Sequence, residues 1–172
     1  TASRRQEAQK GIEIGRSGMS LRGVFPIKDN DTLIGILDVG MDFSDIVNDI
    51  KRTTGYEVGV FVDEALMKKV AVNAPIPEPD HIVGDMRNIQ ATDWGQIKGV
   101  LPPGLLSRVK DTETITTQMN GVDYGLLGIP LNDFSGGQIG LLLAVRSFAD
   151  FQNQANQALL NVVLFAVLQM VI

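Results

Sequence analysis

The 172-residue sequence contains no cysteine and a single histidine, His81. The absence of cysteine excludes disulfide bonds, cysteine–zinc sites, iron–sulfur clusters and a thiol nucleophile. No second histidine or cysteine completes a zinc site with His81, and Ser17 and Ser20 lack the surroundings of a nucleophile elbow. Paired carboxylates such as Asp63-Glu64 are interpreted as solvated charges. We therefore expect no catalytic residue, no metal site, no cofactor and no enzymatic activity.

Basic residues are also scarce and scattered. The 15 Lys and Arg residues stand against 20 Asp and Glu residues, which gives a formal net charge of −5. Nucleic-acid binding requires a clustered basic surface, so we exclude a nucleic-acid partner. No basic residue follows Arg146, and no charge of either sign follows Asp150. The apolar run from Ala158 predicts the first part of a membrane-spanning helix or, alternatively, a buried C-terminal helix.

Hydrophobic periodicity and turn residues predict a hairpin and a helix in the first part of the chain. Residues 1–15 are polar and weakly patterned, and we interpret them as a helical or frayed segment. Two apolar runs then flank the polar turn 29–31, a pattern typical of a β-hairpin. An apolar stripe with helical spacing starts at Phe43, with Asp42 as its cap and Gly55 as its end.

The second part of the chain combines strand patterns with a long irregular insert. Residues 56–64 are rich in β-branched and aromatic side chains and predict a strand. A short helix at 65–73 should follow, and then largely irregular chain over 81–113 that contains one short helix. The Asn-Gly pair at 120–121 is the strongest two-residue hairpin signal, and it predicts an antiparallel meander over 114–146.

A C-terminal helix is predicted from Ser147, because Ser147 and Asp150 form a start that resembles a capping box. Its apolar residues recur at alternating spacings of three and four, the pattern of a heptad seam. Such a seam can pack against a second copy of the chain, so a homodimer is the expected assembly. The seam consists of Phe148, Phe151, Ala155, Ala158, Val162 and Phe165.

The chain contains an internal repeat. Residues 23–46 match residues 127–151, and the alignment places Gly35 on Gly140 and Phe43 on Phe148. Both segments have the same order of strand, turn, strand, cap and helix, and such a repeat determines the architecture. We therefore predict an α/β fold, more narrowly α+β, in which one whole antiparallel module with a helical insert follows the C-terminal hairpin of a similar module.

The strongest repeat segment resembles a known family. Its R-G-x-x-P-I strand, acidic turn, I-G-x-x-x-V-G strand and D-F cap resemble the extracytoplasmic Cache sensor domains of bacterial chemoreceptors and sensor kinases. The resemblance implies PAS-like modules, often doubled, held between transmembrane helices of the bacterial inner membrane and facing the periplasm or the exterior. It divides the chain into a membrane-distal remnant (1–53), a membrane-proximal module (54–147) and an output helix running into a transmembrane segment (148–172).

PAS-like modules bind small molecules between the sheet and the insert, so the resemblance also implies a pocket there. An arginine can donate two parallel hydrogen bonds to a carboxylate, and an aspartate can accept a hydrogen bond from an ammonium group. Aromatic side chains can line the pocket. The alternatives are core packing for Trp94 and Tyr124 and a surface or structural ion pair for Arg87. The candidate ligand-binding residues are Arg87, Asp93, Trp94, Asp123, Tyr124 and Phe61, for a carboxylate, an amino acid or an amine.

Three functions compete. In the first, the chain is the small-molecule sensing domain of a chemotaxis receptor or sensor histidine kinase, and ligand binding displaces the C-terminal helix. In the second, it is a ligand-free spacer or dimerisation domain of a membrane receptor. In the third, it is a soluble cytosolic PAS-type regulator or a small enzyme, and its C-terminal helix is buried. We favour the first, because a capped helix continues without a break into the apolar tail.

Overall fold

Two antiparallel sheets and five α-helices make up the α+β fold of residues 7–76 and 78–170, the part of the chain that this computed structural model describes. The fold class predicted from the sequence is confirmed. The three-stranded sheet consists, in order, of β1 (Gln9–Gly15), β2 (Gly18–Asp29) and β3 (Thr32–Met41). The six-stranded sheet has the order β5 (Ile82–Val83), β6 (Met86–Ala91), β4 (Glu57–Asp63), β9 (Gln138–Ser147), β8 (Val122–Asn132) and β7 (Glu113–Met119). The helices are α1 (Ser44–Thr54), α2 (Glu64–Val70), α3 (Trp94–Val100), α4 (Leu105–Arg108) and α5 (Ala149–Met170).

Strand β1 corrects the prediction for the start of the chain. Where the polar composition indicated a helical or frayed segment, Gln9–Gly15 pairs with β2 along its whole length. Ile12 and Ile14 alternate with polar residues, and Ile14 is buried against the rest of the molecule. The pairing and this one buried side chain outweigh the polar composition, so the first sheet has three strands rather than a hairpin alone.

Helix α1 connects the two sheets as predicted. Phe43 and Val47 of its apolar stripe are buried, and Gly55 ends the helix in the left-handed conformation with φ 74°. Phe43 occupies the N-cap position, but Asp42 Oδ1 still accepts a hydrogen bond from the Ser44 backbone N–H at 2.9 Å. At the other end, Lys51 Nζ lies 2.9 Å from a carboxylate oxygen of Glu57, which ties α1 to the first residue of β4.

Strand β6 lies within the segment that the sequence pattern left largely irregular. Met86–Ala91 pairs with β4 on one side and with β5 on the other, and Trp94–Val100 forms helix α3. The sequence pattern did not predict this strand because it contains the polar residues Arg87, Asn88 and Gln90, whereas an inner strand is expected to be apolar. The short helix predicted inside this segment is present as α4.

The hairpin predicted at the Asn-Gly pair is confirmed. Asn120 and Gly121 both have positive φ, at 52° and 78°, and join β7 to β8 in continuous register. Strand β9 then pairs with β8 on one side and with β4 on the other. The meander and β4 therefore form the centre of the six-stranded sheet.

Strand β4 separates two hydrophobic cores. Successive side chains of a strand point to opposite faces. Val58, Val60 and Val62 enter the inter-sheet core, which also contains Ile14 and Met19 of the first sheet. On the other face Phe61 belongs to the insert core, which helices α3 and α4 cover. The insert core comprises Phe61, Met86, Ile97, Val100, Leu105, Leu106, Val109, Leu126, Leu141, Leu143 and Val145.

Helix α5 begins two residues after Ser147, whose Oγ accepts from the Ala149 backbone N–H at 3.1 Å. The side chains of Asp150 and Phe165, which belong to the predicted cap and seam, lie outside the described residues. Phe151 and Val162 of the seam are 72% and 66% exposed, so the described residues leave the stripe largely uncovered at these two positions. Across the described residues, 7–76 and 78–170, no helix combines the length and apolarity that a membrane span requires.

Candidate functional site

The candidate ligand-binding residues do not form one cluster. In the pairing of β4 with β6, Phe61 lies opposite Asn88 and Val62 lies opposite Arg87. Directly paired residues share a face of the sheet, so Arg87 is on the face of Val62 and opposite to that of Phe61. Phe61, Trp94 and Tyr124 meet on the insert side. Arg87 is therefore separated from them by the sheet.

Packed side chains occupy the insert side of the sheet, where the resemblance to the sensor family implied a pocket. Phe61 is fully buried, and its ring centroid lies 6.1 Å from that of Trp94. Tyr124 and Trp94 are half-buried and pack against the same core. Core packing, the alternative considered for these aromatic residues, describes their contacts in this structure.

Asp93 and Trp94 fix the start of α3. Asp93 Oδ1 accepts from the Gln96 backbone N–H at 2.9 Å and so caps the helix. Trp94 Nε1 donates to Asp80 Oδ2 at 3.3 Å, and Lys98 Nζ lies 5.8 Å from the tryptophan ring centroid. The hydrogen bond from Trp94, opposed by desolvation and aided by the charge of Lys98, lowers the pKa of Asp80.

One group that the sequence analysis did not identify lies beside Trp94. Glu78, Asp80 and His81 each bring a potential ligand atom within 4.8 Å of the other two. The His81 ring centroid is 5.1 Å from that of Trp94, and Lys98 Nζ is 3.7 Å from Asp80. Both carboxylates are exposed, and Asp80 already interacts with Trp94 and Lys98. These contacts make the group part of the surface network around α3.

Arg87 carries a buried positive charge on the inter-sheet face. Its Nε and Nη2 atoms donate to the two carboxylate oxygens of Glu64 at 2.6 and 3.1 Å, and Arg87 and Glu64 are only 7% and 8% exposed. The hydrogen bonds from Arg87, opposed by desolvation and aided by Lys68, hold the pKa of Glu64 below its ordinary value. The interpretation of Glu64 as a solvated charge is therefore wrong, and the structural ion pair considered for Arg87 is present.

A cavity of about 270 Å³ adjoins Arg87 between the two sheets, and we name it the inter-sheet cleft. The β1–β2 turn, the start of α1, helix α2, residues 74–76 and strand β6 form its walls. Arg87 Nη1 lies 3.4 Å from the Pro75 carbonyl oxygen, and the Asn73 backbone N–H donates to the Arg16 carbonyl oxygen at 2.8 Å. The segment that follows α2 therefore bridges the first sheet and Arg87.

Asp123 binds the first turn of α5. Its carbonyl oxygen accepts from the Phe148 backbone N–H at 2.8 Å, and its Oδ2 accepts from Gln152 Nε2 at 2.6 Å. The Phe148 ring packs on Gly125, where an added Cβ would lie 2.9 Å from the ring. We name these contacts the helix anchor. They attach α5 directly to β8, which is separated from β6 by strands β4 and β9 in the six-stranded sheet.

The end of α1 and the start of α5 lie side by side. A groove of about 780 Å³ is lined by Thr54, Gly55 and Tyr56 on one side and by residues 146–148 and Phe151 on the other. The Arg146 guanidinium carbon lies 5.2 Å from the Tyr56 ring centroid, which places the charge over the aromatic face. The end of α1 and the first turn of α5 therefore border the same groove.

These features define the class of protein. A sheet with the order β6-β4-β9-β8-β7, covered on one face by helices and followed by a long helix, is consistent with a PAS-like sensory module. The family model described as "double sensory domain of two-component sensor kinase" (dCache_3) matches residues 1–151. The chain belongs to this family, which confirms the resemblance to Cache sensor domains. No curated protein and no solved structure matches the chain.

The hydrogen-bond partners of Arg87 and Asp123 could not be predicted from the sequence. Glu64 is separated from Arg87 by 23 positions, and Gln152 is separated from Asp123 by 29 positions. No local pattern connects residues so far apart. One usable signal is that Val58, Val60 and Val62 alternate along β4 and therefore share a face of the sheet. Once the register of β6 is known, the residues of β6 that pair with these valines are assigned to the same face.

Proposed function

We propose that this sensory domain binds a small molecule outside the cytoplasm and transmits the binding event through a displacement of helix α5. Family membership supports the sensory role, and the helix anchor supports the output through α5. The strand that carries Asp123 belongs to the same six-stranded sheet as β6, which borders the inter-sheet cleft. A small change of the sheet would therefore move the first turn of α5.

The helix anchor is the observation that carries this proposal. Four contacts between β8 and the first turn of α5 leave little freedom between the sheet and the helix. They are hydrogen bonds of 2.8, 2.6 and 3.5 Å and the packing of Phe148 on Gly125. Hydrogen bonds to a charged acceptor are stronger than neutral ones, and the shortest bond here is of that kind. Motion of β8 is thus transferred to α5 instead of being absorbed in a flexible link.

Thermal-shift screening followed by distance measurement tests the proposal. A panel of carboxylates, amino acids and amines should contain a compound that raises the melting temperature, since a ligand of the folded state must stabilise it. Spin labels at Lys28→Cys on β2 of the first sheet and Asn156→Cys on α5 should then change their separation when that compound is added, because α5 moves with the six-stranded sheet. A full panel without stabilisation would favour the ligand-free spacer.

The membrane context remains part of the proposal. We propose that the domain faces the periplasm or exterior of a bacterial inner membrane, in a chemotaxis receptor or a sensor histidine kinase, and that α5 leads toward the bilayer. The uncharged stretch after Asp150 and the exposed apolar side chains of Leu159 and Leu160 support this direction. Protease treatment of spheroplasts that express the full-length protein should cleave the sensory domain. Cleavage only after lysis would contradict the location.

We also propose the division into a membrane-distal remnant (1–53), a membrane-proximal module (54–147) and an output helix (148–172). The repeated order of strands and helix supports it, because β2, β3 and α1 correspond to β8, β9 and α5. The apolar residues Phe25, Leu37 and Val39 on one face of the first sheet are about half-exposed. At the aligned positions of the second sheet, Ile129 and Leu142 are partly buried and Ala144 is buried, so this face is better covered there.

A dimerisation role is the second candidate function, and the heptad seam supports it. Phe151 and Val162 are largely exposed although both are apolar, and the seam has the spacing of a two-stranded coiled coil. We propose that a second copy covers this stripe in a homodimer. Disulfide cross-linking of Ala155→Cys, a seam position, should be efficient, whereas Gln154→Cys outside the seam should cross-link poorly. Equal cross-linking at both positions would contradict a seam-mediated dimer.

A further inference from the structure

The inter-sheet cleft has features of a binding site that differ from those expected of the family pocket. It lies on the face of the six-stranded sheet that carries Arg87, whereas the pocket implied by the resemblance would lie on the insert side. Groups from both sheets line it, so an occupant would contact the first sheet at Met19 and the second at Arg87. An occupant would therefore fix the position of one sheet against the other.

The charges around Glu64, beside the cleft, are unbalanced and positive, although the Lys68 side chain is exposed. Arg87 and Lys68 both contact Glu64, so two positive charges share one carboxylate. A guanidinium has five N–H donors. Two of them bind Glu64 and a third points at the Pro75 carbonyl oxygen over a long 3.4 Å, so donor capacity is left at the cleft wall. An added anion would complete this arrangement.

The remaining walls combine apolar surface with a few polar groups. Met19, Phe43 and Met67 are buried and line the interior, and Ile76 lines the cleft although it is 94% exposed. Such a wall suits an apolar group of the occupant, because covering Ile76 removes apolar surface from water. A pocket with a predominantly apolar lining and a few convergent polar groups is the usual form of a small-molecule site.

Asp42 is the negative charge that an anionic occupant would meet. Its Oδ1 already accepts hydrogen bonds from the backbone N–H and the hydroxyl of Ser44, at 2.9 and 2.5 Å. Asp42 is exposed, so solvent and salt weaken its repulsion, whereas Arg87 acts from a buried position where screening is weaker. Glu64 offsets the charge of Arg87, so the preference for a carboxylate over an ammonium group comes from the remaining N–H donors of Arg87, which only an acceptor can use.

From these observations we propose that the inter-sheet cleft binds a small monocarboxylate with an apolar tail, its carboxylate on Arg87 and its tail against Phe43, Met67 and Ile76. This inference rests on the proposed sensory function and names its ligand class and site. Phe43 begins α1, and the far end of α1 borders α5 across the Tyr56–Arg146 groove. A carboxylate in the cleft thus acts on the output helix through α1.

Calorimetric titration with hexanoate and benzoate tests the proposal, with hexanamide, hexylamine and leucine as comparison compounds. Hexanoate and benzoate should bind saturably at concentrations up to about 10 mM and raise the melting temperature, whereas the amide and the amine should do neither. In the double variant Arg87→Met and Glu64→Met, which removes both buried partners together, carboxylate affinity should fall about tenfold or more. Arg108→Met, at an exposed arginine of α4, is the matched control and should bind as the wild type does.

A second variant keeps the test decisive if the double variant does not fold. Ala74→Leu leaves every charge in place but narrows the cleft, so it should weaken benzoate binding while the unliganded protein stays folded. Carboxylate binding that is unchanged in either folded variant overturns the proposal. Stabilisation by hexylamine or leucine but not by the carboxylates also overturns it and leaves small-molecule sensing intact. If none of these compounds stabilises the protein, the carboxylate proposal is also overturned. The sensory function is then tested separately by the wider panel of carboxylates, amino acids and amines.

Discussion

At the residue scale, Gly140 occupies a position that no larger side chain fits. A Cβ atom added there would lie far inside van der Waals contact of the Phe61 carbonyl oxygen on the neighbouring strand β4. Because this oxygen is backbone in a central strand, we expect Gly140→Ala to lower the free energy of unfolding by about 2 kcal/mol or more in urea denaturation. Gly35, aligned with it in the repeat, is the control. An added Cβ there meets Ile27 at an ordinary 3.8 Å, so Gly35→Ala should change stability by less than about 0.5 kcal/mol.

Glu64 predicts a dependence of stability on acid pH. Its folded-state pKa lies below the ordinary 4.5, chiefly through the hydrogen bonds from Arg87, so the ionised form is favoured in the folded state. The resulting stability is fully present above pH 4.5 and is lost as the pH falls through the lowered value. Glu64→Gln should cost about 3 kcal/mol at pH 7, and the gap to the wild type should narrow below pH 4.5. Glu113→Gln, at an exposed position of β7, is the control, and an equally narrowing gap for it would contradict the assignment.

At the element scale, the helix anchor predicts a local effect of Gln152. Gln152→Ala removes the 2.6 Å hydrogen bond to Asp123 but leaves the sheet intact. The first turn of α5 should therefore exchange its backbone amide hydrogens faster, with the Phe148 amide as the reporter, while exchange in β8 and β9 stays slow. Gln154→Ala, two positions along the helix and exposed, is the matched control. Slower or unchanged exchange at Phe148 in Gln152→Ala would show that the anchor does not hold the helix.

The elements that could be predicted from the sequence are those whose signals are local. The turn at Asn120 and Gly121 and the end of α1 at Gly55 follow from backbone conformations that few residues adopt, and the structure confirms both. Strand β6 was missed, because its polar residues are stabilised by partners far along the chain. The face on which Arg87 lies depends on the register between β4 and β6, and a bulge after Val60 shifts that register by one residue. No property of the single segment encodes such a shift.

At the scale of the whole molecule, the two sheets share a core and should unfold together. The inter-sheet core takes Ile14 and Met19 from the first sheet and Val58, Val60 and Val62 from the second. Strand β4 also carries Phe61 into the insert core, so loss of one core exposes the other. Under the proposed function, this shared core is the route by which a change at the inter-sheet cleft would reach the sheet that carries α5.

Met19→Ala tests whether the two sheets unfold together. Met19 lies in the first sheet, whereas the single tryptophan, Trp94, packs against the insert core on the far face of the second sheet. Truncation of a buried methionine costs about 2–5 kcal/mol. In a domain of this size each kcal/mol lowers the melting temperature by about 2–4 °C. We therefore expect the Trp94 fluorescence transition of Met19→Ala to move down by several degrees as one cooperative step that coincides with the loss of circular dichroism. Val72→Ala, at an exposed valine after α2, should leave the transition in place. The contrary outcome is a Trp94 transition that stays at the wild-type temperature while circular dichroism reports an earlier step. It would mean that the two sheets unfold independently. The proposed path from the cleft through α1 to α5 would then lack its structural basis.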